Sequence, residues 1–294
     1  MLKISAFPKC WSHDITDGRM ELFDWFEKAR VLDCEGLEMY SGFIKSFDEG
    51  TLAQIRSRAQ SYGMELPMMC FSPDFTNPDP AARREQIDRQ KRMIYATAAL
   101  GGRYCRTLSG QRRPNVSVYD GTQMVVECIS ECFDTARACG VTLVMENHYK
   151  DGYWEYSEFA QRMEVYLPIV RQLACDCFGV QYDPSNTVVA GEDPLALLDE
   201  VLPYVRTMHA SDRYLAPGFT AEDLKGADGV KGYAKILMHG VTGRGMNDYN
   251  EIFKRLKSVD FNGWISIEDG MNGLEEMRQS VDFLKAMRRE YFGA

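Results

Sequence analysis

Four residues able to hold a cation stand at the ends of four successive apolar runs. "VTLVMEN" (141–147) closes on Glu146, "FGVQYDP" (178–184) on Asp183, "VRTMHAS" (205–211) on His209 and "GWISIED" (263–269) on Glu268. Each run is short enough to be a buried strand. Any one acid in such a place reads as a helix cap or a solvated loop residue. Four successive strands ending Glu, Asp, His, Glu ask for a common cause. Three carboxylates brought into contact repel one another at neutral pH, and a divalent cation among them cancels most of that charge. Mixed carboxylate and imidazole ligation suits Mn²⁺, Mg²⁺, Co²⁺ or Zn²⁺ and does not choose sharply among them.

Other side chains near these ends could act on a substrate. His148 follows Glu146 by two positions and shares its face only while the chain stays extended. An imidazole titrates near operating pH, which makes His148 the candidate base; a hydrogen bond to a ligand is the alternative. Arg213, four residues after His209, and Arg244 in "GVTGRGMND" carry forks suited to carboxylates, phosphates or hydroxyl pairs. With Lys150 and Asn186 they are candidate substrate contacts, although Arg213, Arg244 and Lys150 read first as residues that order their loops. Gly243-x-Gly245 lacks the preceding strand and full spacing of a nucleotide-binding loop.

The elements that must position these groups are legible too. Apolar runs also occur at "LKISAF" (2–7), "GLEMY" (36–40), "ELPMMCF" (65–71) and "YCRTLSG" (104–110), making eight in all. Between them lie stretches of helical period. "RMELFDWFEKARVL" sets Leu22, Phe23, Phe26, Ala29 and Leu32 on one face, and similar stretches cover 81–100 and 273–292. Asp48 and Asp193-Pro194 look like helix starts. Eight strands alternating with helices predict one α/β domain over 1–294, a (β/α)₈ barrel. Its strand ends converge on one mouth, where barrel enzymes keep their sites.

Bulk properties narrow the function. The 294 residues are 45% hydrophobic and 26% charged, enough to fill a core. A net charge of −9 argues against nucleic acid as the partner. No run approaches the roughly 18 apolar residues of a membrane span. "MLKISAFPKC" is too short and too charged for a secretory signal. Nine cysteines, an odd number without pairing pattern, fit reduced thiols in a cytoplasmic protein.

The Glu-Asp-His-Glu order, with "GLEMY", "VMENH" (144–148) and "HGVTGRGMNDYNEIFKRLKSVDFNGWISIEDG" (239–270), resembles the sugar phosphate isomerase/epimerase superfamily, the xylose-isomerase-like barrels, over essentially the whole chain. The resemblance implies one divalent ion, Mn²⁺ foremost, held by Glu146, Asp183, His209 and Glu268. Ketose 3-epimerases of that superfamily usually place a histidine where this chain has Asn186, and use the two metal-bound glutamates as acid and base. The endonuclease IV branch needs extra histidines for three zinc ions, and only His13, His148, His209 and His239 exist here. The phrases "VMENHYKDGYW", "YDPSNTVVAGEDP", "TMHASDRYL" and "ISIEDG" are similar to the catalytic (α) subunit of bacterial C-glycoside deglycosidases. That similarity implies a lyase acting on 3-oxo-glycosides, with C2 deprotonation to an enediolate, loss of the C1 substituent, and a small β subunit as partner. His148 would be the base, with Glu146 and Glu268 beside it, and Trp11, Tyr40 or Trp154 could stack on sugar or aglycone. Epimerisation of a keto-sugar through the same enediolate is the alternative, and phosphodiester cleavage a remote one.

Overall fold

The computed structural model describes residues 2–220, 222–223 and 236–293. All eight expected strands form, each somewhat shorter than its apolar run. They are β1 (Lys3–Ala6), β2 with β3 (Gly36–Leu37 and Met39–Tyr40), β4 (Met68–Cys70), β5 (Tyr104–Thr107), β6 (Thr142–Glu146), β7 (Phe178–Tyr182), β8 (Val205–Ala210) and β11 (Trp264–Ile267). The sheet runs β2-β1-β11-β8-β7-β6-β5-β4-β3, and its pairings are parallel. Its two ends are halves of one segment joined through Glu38, so the sheet closes on itself as a barrel.

Capping explains where the helices begin. Asp48 accepts from Thr51 N ahead of Glu49–Ser61, Asp79 from Ala81 N ahead of Pro80–Ala99, and Asp193 from Leu195 N ahead of Pro194–Val201. Two of the three put proline at the first turn, where its missing N–H costs nothing. The helical faces bury Trp25, Phe26, Ile94, Val125, Ile169, Leu198, Phe253 and Leu284 against the outside of the barrel. Inside, Met68, Cys70 and Val144 make a separate small cluster with Tyr40 and Tyr104. Residues two apart on a strand share a face. The inward positions one step nearer the C-terminal rim than Gly36, Tyr104, Val144 and Thr207 are therefore Glu38, Arg106, Glu146 and His209.

One feature lies outside the expected alternation. β9 (Asp212–Leu215) and β10 (Leu237–Gly240) pair antiparallel as a separate two-stranded ribbon, with Arg213 opposite His239. The loop after it wraps the Asp212 carboxylate, which accepts from Gly243 N at 3.0 Å, Gly245 N at 2.9 Å and Asn247 N at 3.2 Å. A Cβ on Gly245 would meet Asp212 Oδ1 and Arg213 O at 2.3 Å. Close backbone approach to an internal carboxylate thus accounts for Gly245, while Gly243 takes a positive φ of 84° against the Phe283 ring.

Asp269 ties this loop to the last helix, accepting from Thr242 N at 2.7 Å, Thr242 Oγ1 and Ser280 Oγ at 2.6 Å. Burial pushes its carboxyl up to about 7, despite those donors. The folded protein therefore keeps a proton that the unfolded chain releases near pH 4, so this group's stabilisation is lost as pH rises from about 4 to about 7. Chemical denaturation of Asp269→Asn and the parent at pH 5 and pH 8 tests this: relative to the variant, the parent should lose roughly 2–3 kcal/mol over that interval.

Candidate active site

The four predicted ligands meet. One donor atom from each of Glu146, Asp183, His209 and Glu268 lies within 4.8 Å of all the others. Glu146 closes β6, His209 is the penultimate residue of β8, and Asp183 and Glu268 directly follow β7 and β11. Asp183 is also a helix cap: its Oδ1 accepts from Ser185 N at 2.8 Å and Asn186 N at 3.2 Å, starting helix Pro184–Val189. Ser211 Oγ donates to the same oxygen at 2.8 Å. Asn147 clamps the ends of β6 and β7, accepting from Asp183 N at 2.8 Å and donating to its carbonyl at 2.6 Å.

Behind the four stands a charged frame that the sequence pattern did not single out. His209 Nδ1 lies 3.2 Å from Glu146 Oε1 and 3.5 Å from Glu268 Oε2, while its Nε2 lies 2.7 Å from Glu38 Oε1. Cys70 Sγ donates to the same Glu38 oxygen at 2.8 Å. Arg106 donates through Nη1 to Glu146 Oε2 at 2.7 Å and through Nη2 to Ser72 Oγ at 3.0 Å. Lys9 Nζ sits 3.0 Å from Glu268 Oε1. A signal for two of these was present: Glu38 and Arg106 are charged residues inside apolar runs.

The electrostatics follow from this packing. Burial works to raise the Glu146 pKa, but Arg106 and His209 outweigh it and hold the group well below the carboxylate range. Glu268, opposed by burial but favoured by Lys9 and His209, falls to about 2. For Asp183, burial with repulsion from Glu146 and Glu268 outweighs His209 and the Ser211 hydrogen bond and lifts it to about 6. His209 is disfavoured as a cation by burial, yet Glu38, Glu268 and Glu146 raise it well above an ordinary imidazole.

This donor set fits a divalent cation. Four carboxylates (Glu38, Glu146, Asp183, Glu268) face two permanent cations, Arg106 and Lys9. Protonating His209 leaves one negative charge over; a doubly charged ion beside a neutral His209 balances the set. With Nε2 held by Glu38, Nδ1 is the nitrogen turned to Glu146 and Glu268, the arrangement in which a carboxylate orients a ligating histidine.

Lys9, Arg106, His148, Glu268, Phe7 and Tyr40 line a cavity of about 280 Å³ at this mouth, and His13 and His239 face it too. His148 is buried, and its Nδ1 lies 3.6 Å from Glu158 Oε2. Glu158, which no local pattern marked, is itself held by Ser109 N at 2.7 Å and by Ser109 Oγ. Burial disfavours the His148 cation, but Glu146 and Glu158 outweigh it and raise its pKa.

The remaining candidates divide. Lys150 lines the cavity, donating to Glu155 O at 3.0 Å. Asn186 spends its amide on two of the candidate ligands, donating to Glu146 Oε1 at 3.1 Å and Asp183 Oδ2 at 3.0 Å, so it supports them from behind. Arg213 is buried in β9 with its guanidinium 5.9 Å from the Tyr149 ring, and Arg244 lies exposed on the following loop; neither lines the cavity. Trp11 packs on Trp25 at 5.7 Å, whereas Tyr40 faces the mouth.

Residues 26–287 match the family described as xylose isomerase-like TIM barrel. The chain belongs to that family. It is 26% identical over 137 residues to an inosose dehydratase of Lacticaseibacillus casei, a match covering 46% of this chain and 42% of that protein, so it spans under half of that relative's length. The fold is shared with a D-tagatose 3-epimerase-like protein, at TM-score 0.75 and 16% identity over 99% of this chain and 98% of that one. It is shared too with the IOLI protein, whose crystal structure holds a zinc atom, at TM-score 0.73 and 17% identity over 99% and 100% of the two chains. Within the family, the lining of the mouth must distinguish one chemistry from another. Among the described residues no helix is long and apolar enough to cross a membrane.

Two measurements test the ion site. Because His209 and Asp183 both hold protons more tightly than usual, Mn²⁺ binding should release protons and strengthen as pH rises from 5 to 8. Calorimetric titration in buffers of different ionisation enthalpy reads this directly. Glu38→Gln should weaken Mn²⁺ binding by roughly 10–100-fold with the far-ultraviolet circular dichroism unchanged. Unchanged affinity would remove Glu38 from the frame.

Proposed function

We propose that this protein is a divalent-metal-dependent lyase acting on 3-oxo-glycosides. The observation that carries the reading is His148, backed by Glu158, lining the same cavity as Glu268 without being one of the four candidate ligands. An elimination needs a separate base of this kind. An epimerase needs two bases on opposite faces of one carbon, and Glu268, the other candidate, is tied to Lys9.

Glu146, Asp183, His209 and Glu268 would hold the ion, which when bound supplies Lewis-acid polarisation of a keto oxygen and acidifies the neighbouring C–H. His148 Nδ1 is turned to Glu158, leaving Nε2 to take the proton from C2 of the sugar. The electron pair released at C2 forms the enolate with C3. As the C3 carbonyl re-forms, a C1–C2 double bond forms and the bond from C1 to its substituent breaks. The departing oxygen or carbon collects the proton from the His148 imidazolium, so the enzyme ends as it began. Glu158 holds the ring in place and steadies its charge between the two transfers. Lys9 Nζ, beside Glu268 in the cavity wall, offers N–H donors to sugar hydroxyls.

Mn²⁺ is the ion we assign first, in a reduced, cytoplasmic setting consistent with nine free cysteines. A small β subunit belongs to the same reading, and co-purification of the native protein checks it.

Three outcomes separate the alternatives. With Mn²⁺ added, product analysis should show loss of the C1 substituent from a 3-oxo-glucoside and no C3 inversion of free ketoses. His148→Ala should lower kcat by about 10²–10⁴-fold while Mn²⁺ binding persists. Glu158→Gln should lower kcat less and shift the acidic limb of its pH profile. Full activity in His148→Ala, with loss in Glu268→Gln, would move the base to Glu268.

A further inference from the structure

A second cavity, about 600 Å³ and so larger than the first, lies beside the mouth and shares Thr16, Tyr40, Asp151 and Tyr153 with it. We infer that this chamber is a distal subsite for a planar aromatic substituent bearing an acidic group, attached to the sugar at C1. The link to C1 rests on the lyase reading; the ligand class rests on the chamber itself.

Its walls are aromatic. Tyr40, Phe47, Phe71 and Trp154 face it, offering flat surfaces on which a ring can stack. Arg89 lies over the Phe71 ring with its guanidinium carbon 5.3 Å from the centroid, which extends that surface with a planar cation.

The charge is the second observation. Helix Pro80–Ala99 carries Glu85 and Asp88, each four residues before Arg89 and Arg92, the spacing at which acid and base pair along a helix. Neither pair forms: among the described residues, ion pairs include no partner for Arg89 or Arg92, and both arginines line the chamber. Two exposed cations one helical turn apart thus line one cavity without a counter-ion among the described residues. The acids that line it are otherwise engaged. Asp74 is held by Arg113 through Nη1 at 2.9 Å and Nη2 at 2.5 Å. Asp151 stands on the boundary with the mouth, accepting from Tyr153 N at 3.0 Å. Ser72, also in this chamber, accepts from Arg106, so the same guanidinium touches the metal frame and the wall of the second cavity. A glycoside with its sugar at the mouth would reach the chamber past Tyr40 and Tyr153.

The test compares 4-carboxyphenyl, phenyl and methyl 3-oxo-β-glucosides, with and without Arg89→Ala/Arg92→Ala. For the parent, kcat/KM should rank carboxyphenyl above phenyl above methyl, and the double variant should cut the carboxyphenyl-to-phenyl ratio by about tenfold. A ratio left unchanged by the double variant would overturn the acidic-ligand assignment. Equal phenyl and methyl rates would overturn the aromatic one. Calorimetric titration with 4-hydroxybenzoate, which needs no turnover, separates the two readings. Binding lost in the double variant, with no glycoside cleaved by the parent, would keep the subsite and sink the lyase. Binding of 4-hydroxybenzoate equal in parent and double variant, or absent in both, would sink the subsite. Thermal melting of the double variant confirms that it folds.

Discussion

Buried like charge is the constraint around which this barrel is arranged. Four carboxylates reach the inner rim, where the low dielectric makes each unbalanced charge costly. Arg106 and Lys9 offset part of it, and the imidazole of His209 is set between acids on both of its nitrogens. What they leave over is the charge that a divalent ion would cancel. The raised proton affinity of Asp183 and His209 is the same imbalance, met with protons.

That constraint explains why the supporting residues are as exacting as the four rim residues. Asp183 must cap a helix with one oxygen and leave the other toward its neighbours, and Ser185, Asn186 and Ser211 fix that division. Asn147 joins the ends of β6 and β7, so Glu146 and Asp183 cannot drift apart independently. Cys70 meets Glu38 as a donor, which suits a thiol that burial keeps protonated. Strand ends hold the acids; the loops beyond them carry Lys9, His148 and Lys150, which line the mouth.

The family resemblance fits this division of labour. A barrel rim that holds an ion can serve dehydration, epimerisation or elimination, and the loops decide which. Here His148 and Glu158 come from the segment after β6, which also gives Tyr153 and Trp154 to the second chamber, while Tyr40, Phe47, Phe71, Arg89 and Arg92 come from β3 and from the loops and helix after β3 and β4.

Eight apolar runs, their alternation with amphipathic helices, the caps at Asp48 and Asp193 and the Glu-Asp-His-Glu order were all legible in the sequence, because each is a short-range pattern of burial or capping. The strand that ends in an acid is visible without its neighbours. Glu38, Arg106, Lys9 and Glu158 were not marked, nor was the supporting place of Asn186. Their partners lie across the barrel: His209 is 171 residues from Glu38, and Glu268 is 259 residues from Lys9. The ribbon of β9 and β10 and the second chamber share that origin. Periodicity says which residues point inward, but only closure of the sheet, β2 and β3 bounding its two edges, decides which inward charges stand face to face.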